Sequence, residues 1–213
     1  MKKIIMCVFV FVVLFWAGGA FATPVSLQEL YVDPVQVVTL HTPTYNGGVY
    51  IGTYFLRIDG DGPIPSYCVD PYQFSSSSSA QYDRLAIPTN NLALKRAAWI
   101  MENFPTDETN SSRVNAQAAI WEIMSPDVAR LDSGSLRIDA WSGFGSRAAA
   151  QGIVDTVLAL DLSNFDAADF DWLHNERLQD YIVHQPVPEP ATMLLLGSGL
   201  IGLAGIARKK FKK

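Results

Sequence analysis

Two side chains in this 213-residue chain are of types that can react with each other: Cys68, in a β-rich segment, and Gln117, 49 positions later in a helical one. A cysteine thiolate that attacks a glutamine carboxamide with loss of ammonia forms an internal thioester, an acyl group on a good leaving group. The reaction needs no cofactor, only a strand-borne sulfur held against a helix-borne amide, so that proximity replaces a very slow bimolecular encounter. Each residue also has an ordinary reading. Along the helix expected from Arg113 to Met124, Val114, Gln117, Ile120, Trp121 and Met124 fall on or near one apolar stripe. A buried amide without partners costs about 1 to 3 kcal/mol, so Gln117 must be hydrogen-bonded, exposed or chemically altered. A lone cysteine is either a small buried hydrophobe or a thiol that dimerises, oxidises or reacts.

Whether Cys68 is alone depends on the ends of the chain. Lys2 and Lys3, the apolar run from Ile4 to Trp16 and the Ala20-Phe21-Ala22 step have the form of a signal peptide over residues 1–22, whose removal takes Cys7 away. At the other end, Ala191 to Ala207 is an uncharged stretch at the lower limit for a membrane-spanning helix, followed by Arg208, Lys209, Lys210, Lys212 and Lys213. By the positive-inside rule both basic ends stay cytoplasmic and the chain between them lies outside. Pro188, Glu189 and Pro190, the short span and the basic tail resemble the PEP-CTERM sorting signal of Gram-negative bacteria over residues 186–213. That resemblance implies cutting by an exosortase after transient anchoring in the inner membrane, with the product at the cell surface or beyond. A permanent single-pass anchor is the competing reading.

The exported piece, Thr23 to Val187, keeps one cysteine, nine cations and twenty anions, a net charge of −11 against −5 for the whole chain. Such a balance argues against DNA and anionic membranes as partners of the exported part. With 49% apolar residues and no sustained heptad, long repeat or single-sign block in the body, disorder, collagen, coiled coils and solenoids are excluded. The length suits one domain, over residues 23–185, with a sizeable core.

Two textures follow each other along that domain. Val35 to Leu40, Val49 to Ile58 and a return strand at Tyr67 to Asp70 are β-rich, with Asp59-Gly60 and Asp61-Gly62 as turn signals. The Asp-Gly pairs lack the later ligands of a calcium loop, which favours a turn. Ser75 to Ser79 reads as an exposed loop. Asn90 or Asn91 caps a helix from Leu92 to Phe104, Ser111 or Ser112 a second to Met124, and a third runs from about Ser146 to Leu160. Asp169 to His174 is ambiguous, and Asp180 to His184 reads as a last strand.

Tyr67-Cys68-Val69-Asp70, and Gln117 within Asn115-Ala116-Gln117-Ala118-Ala119-Ile120-Trp121, resemble the thioester domains of bacterial surface adhesins. That family carries an aromatic-Cys-x-Asp strand and a Thr-Gln-x-Ala-Ile-Trp helix, and the likeness extends loosely from Gly48 to Met124. Ala116 stands where the family usually has Thr. The resemblance implies an α+β fold, a β-rich sandwich or barrel-like part with an inserted helical part, in which Cys68 supplies the sulfur and Gln117 the acyl carbon. It further implies a covalent adhesin rather than an enzyme, with no cofactor and no metal, that captures an amine of a protein lysine or an amino sugar. In that reading Tyr67 and Trp121 shield the acyl group, and Asp70 either assists proton transfer or caps the turn before Pro71. A non-covalent component of an exopolysaccharide or biofilm matrix is the alternative. A cysteine hydrolase using His41, His174 or His184 as base is a third, although no hydrolase signature surrounds Cys68. The three histidines have no metal-binding spacing.

Overall fold

The first strand does most to shape the domain. In a computed structural model describing residues 22–127 and 130–185, β1 (Thr23–His41) pairs at its start with β4 (Ala80–Ala86) and along the rest with β2 (Asn46–Ile58). β2 turns through Asp59-Gly60 into β3 (Asp61–Cys68), which pairs with β7 (Tyr181–His184); β7 pairs with β6 (Phe170–His174), and β6 with β4. The ring β1-β2-β3-β7-β6-β4 therefore closes on β1 as a six-stranded antiparallel barrel, and short β5 (Arg137–Asp139) adds to the far end of β1. Closure removes the edges that an open sheet would expose.

β1 can serve two neighbours because it is irregular. Its register against β2 shifts between Glu29 and Tyr31, and the buried set changes from odd positions, Val25 and Leu27, to even ones, Val32, Val38 and Leu40. One extra residue in a strand reverses which side chains point inward. A second shift lies between Asp33 and Gln36.

Three helices cover one side: α1 (Leu92–Asn103), α2 (Asn110–Met124) and α3 (Arg147–Ala159). Asn91 caps α1, accepting from the Leu94 N–H at 3.0 Å, and Ser146 caps α3. For α2 the expected cap at Ser111 or Ser112 is corrected to Thr109, whose hydroxyl accepts from Ser112 N–H; among several consecutive polar residues the helix starts as soon as the chain leaves Pro105. The expected return strand at Tyr67 to Asp70 likewise begins earlier, at Asp61, directly after the Asp59-Gly60 turn.

α2 is not amphipathic as its stripe suggested. Every residue from Arg113 to Ile123 is buried, because the helix lies between two cores. Val114, Ala118 and Trp121 join the barrel core with Cys68, Leu56, Tyr82, Leu173 and Tyr181. Ala116, Ala119, Ile120 and Ile123 join a second core with Tyr67, Val69, Ile182 and residues of α1 and α3. The small side chains let the helix sit between both. No helix among the described residues is long and apolar enough to cross a membrane, and the expected signal peptide and the 191–207 span lie outside the described residues.

Candidate functional site

Cys68 ends β3, and its backbone faces a gap in the sheet. The N–H of Val69 donates to Asp180 O at 2.9 Å, so alternate residues of β3 bond to β7, while the N–H and C=O of Cys68 point toward β2. Pairing with β2 stops at Tyr54 opposite Ser66, two residues earlier. The residue that would face Cys68 in continued register is Gly52, at φ 153°, bent away beside the second irregularity of β1.

Gln117 fills that gap. Its Oε1 accepts from Cys68 N–H at 2.9 Å, and its Nε2 donates to Cys68 O at 2.7 Å, so the carboxamide replaces the missing ladder bonds. Both residues are fully buried. Of the outcomes open to a buried glutamine, the unreacted side chain takes hydrogen bonding. The same two bonds also hold its carbonyl carbon beside the Cys68 Cα and polarise it through a backbone N–H.

A Cβ on residue 52 would lie 2.9 Å from Asp33 O. Gly52→Ala is therefore expected to cost about 1 to 3 kcal/mol, read as a lower urea midpoint, because φ 153° and the close backbone both disfavour a side chain.

The Cys68 thiol faces the barrel interior. Burial pushes it well above the ordinary thiol range, although the Trp121 indole and the Asp70 backbone favour its ionised form. Its S–H donates to Asp70 O at 3.3 Å. The indole N–H of Trp121 is buried with no hydrogen-bond acceptor among the described residues, yet lies close enough to the sulfur to stabilise negative charge there. Tyr181 stands directly across from Cys68 on β7, its ring 5.7 Å from that of Tyr54 and 6.2 Å from that of Tyr82. The Tyr181 hydroxyl donates to Glu29 Oε2 at 2.8 Å.

The other expected residues are divided. Trp121 is at the sulfur. Tyr67, next to Cys68 in the strand, faces the opposite side, packing in the helix core with its hydroxyl on Phe104 O at 3.0 Å; strand alternation removes it from the acyl shield. Ala116 packs in that same core. Asp70 makes the turn: its Oδ1 accepts from Tyr72 N–H at 2.8 Å. His41 pairs with Asp139, His174 with Asp180, and His184 lies on Gln185 O and the Phe170 ring. No group of three or more metal-ligating side chains occurs among the described residues.

Beside Trp121 a cleft of about 220 Å³ opens between β1, β2 and the 71–75 loop, with Trp121 and Tyr54 in its wall. The loop is fastened by the Tyr72 hydroxyl on Ser125 Oγ and by Gln179 N–H on Phe74 O. Glu29 is the one charged residue lining it. Sequence reasoning missed Glu29, Tyr54 and Tyr181. The signal for Glu29 was the alternation of Val25, Leu27 and Glu29, which sets a carboxylate on an inward-facing row.

Residues 186–209 match the family described as PEP-CTERM protein-sorting motif. The chain carries an export sorting signal. It is thus an exported protein handled by an exosortase and transiently anchored in the membrane, and Pro188, Glu189 and Pro190 fall within the matched segment, outside the described residues. No curated protein and no solved structure matches the chain.

Proposed function

We propose that the exported domain forms a Cys68–Gln117 thioester and uses it to bind amine-bearing partners covalently, as a surface adhesin rather than an enzyme. The observation that carries this reading is the double hydrogen bond between the Gln117 carboxamide and the Cys68 backbone, in a fully buried site. In the forming step Sγ bonds to Cδ of Gln117, the C–N bond breaks, and the thiol proton leaves with the nitrogen as ammonia. The Cys68 N–H on Oε1 stabilises charge on the oxygen as the tetrahedral centre forms. In the capture step an amine nitrogen bonds to Cδ, the C–S bond breaks, and a proton from that nitrogen ends on sulfur. The Trp121 N–H, lacking another acceptor, favours the departing thiolate. Each histidine is engaged elsewhere, which leaves Cys68 without the imidazole a cysteine hydrolase requires.

Intact mass of the exported chain tests the reading. Wild type is expected one ammonia short of its sequence mass, with no shortfall in Cys68→Ala or Gln117→Ala. A full-mass wild type with one freely titratable thiol after denaturation sinks it. A non-covalent matrix role has one supporting observation: Tyr31, Tyr50 and Phe74 are exposed, on surfaces able to stack on sugars. Partner adducts that vanish on boiling in denaturant favour that role.

A further inference from the structure

We propose that the cleft beside Trp121 is a binding site for a primary alkylammonium group, such as the end of a lysine side chain, with Glu29 as the carboxylate that holds the charge. This rests on the amine-capture reading for its purpose, but the site is built from residues of its own. Glu29 continues the inward row of Val25 and Leu27 and is its last member, because the first irregularity of β1 follows it and moves the inward row to even positions. The Tyr181 hydroxyl occupies Oε2 at 2.8 Å and fixes the carboxylate, while among the described residues no hydrogen bond or ion pair engages Oε1. No lysine or arginine lines the cleft.

The walls suit a cation as well as the floor does. Six aromatic rings line the cleft, among them Tyr50, Tyr54, Phe74 and Trp121. Aromatic faces attract an ammonium within about 6 Å, and more strongly where water is excluded. Tyr50 and Phe74 are exposed at the rim, whereas Tyr54 and Trp121 are buried at its inner wall. An unbranched alkyl chain can pass between the outer rings with its nitrogen at Glu29. Tyr181 links that carboxylate to Cys68, since its hydroxyl bonds Glu29 and its side chain lies across the strand pair from the cysteine. A cation seated there lies beside Trp121, whose indole is at the Cys68 sulfur.

The test uses the full-length chain carrying Cys68→Ser, which cannot form a thioester, titrated with n-butylammonium and with neutral n-butanol while the Trp121 indole resonance is followed. The ammonium is expected to bind at least tenfold more tightly than the alcohol, and Glu29→Gln, which keeps an acceptor for Tyr181, is expected to erase that preference. Equal binding of the two ligands overturns the proposal. A preference that survives Glu29→Gln overturns the assignment to Glu29. Because the comparison of ligands needs only the Cys68→Ser chain, it stands even if the second substitution unfolds the domain. An intact-mass shortfall without ammonium preference keeps the thioester and removes the cleft; ammonium preference without the shortfall does the reverse.

Discussion

Replacing Gln117 by Ala in a Cys68→Ala background is expected to lower domain stability by about 3 to 5 kcal/mol, and with it the urea midpoint. The background removes any cross-link, so that only the carboxamide's packing and hydrogen bonds are measured. Two buried backbone groups of residue 68 lose their partners, because the strand that would pair with them turns away at Gly52. Leaving a buried donor or acceptor unsatisfied costs about 1 to 3 kcal/mol each, and the space left by the truncated side chain adds to that. Water entering the vacated space offsets part of the sum. Gln117→Glu separates shape from charge. The carboxylate can accept from Cys68 N–H, but its second oxygen meets Cys68 O, which requires a donor. A protonated Glu supplies one, so burial raises this carboxyl in the folded state. The variant is then close to wild-type stability below the ordinary glutamate value of about 4.3 and loses stability as pH rises above it. A neutral effect of Gln117→Ala would mean that another group can take over the two bonds.

That result bears on why sequence alone pointed to this pair. Gln117 was conspicuous as the one polar residue on a stripe of α2 that was already apolar, and Cys68 as the one cysteine in the stretch expected to be exported. Both signals are local, and both survive folding. The helices were legible for the same reason: Asn91 and Ser146 stand where caps must, and prolines stop α1 and α2. The barrel was less so. β1 is interrupted by two irregularities and contains two prolines, Pro24 and Pro34, so no uninterrupted period-2 pattern runs through it. β4 shows a single fully buried residue, Tyr82, between polar neighbours, and it follows five serines that read as loop. Closure of the ring depends on those two segments meeting. The cleft was illegible with them, since Glu29 lies on β1, Tyr54 on β2 and the Tyr181 that holds Glu29 at the start of β7. Tyr67 failed for a simpler reason: adjacency in a strand means opposite faces.

Alkali is expected to destabilise the domain in two stages, the first of them set by Cys68 alone. The thiol is raised by burial, so the folded state keeps its proton after the unfolded chain has lost it. Stability from this group is therefore fully present below the unfolded thiol value of about 8.5 and falls by about 1.4 kcal/mol per pH unit above it. Tyr54, Tyr67 and Tyr181 are raised in the same direction, with burial as the largest cause for each. Their contributions begin to fall near the ordinary tyrosine value of about 10, which steepens the loss beyond that of Cys68 alone. Denaturant midpoints measured from pH 7 to 11 trace both stages, and Cys68→Ala removes the first while leaving the second. The same burial makes the native thiol react with a disulfide reagent at pH 8 more slowly than the denatured one. A chain whose sulfur is held in a thioester has no thiol to titrate, so it skips the first stage entirely. Capture of an amine releases the thiol and brings that stage back. The stretch between pH 8.5 and 10 thus distinguishes a cysteine that is merely buried from one that is bonded to Gln117 and set free on binding.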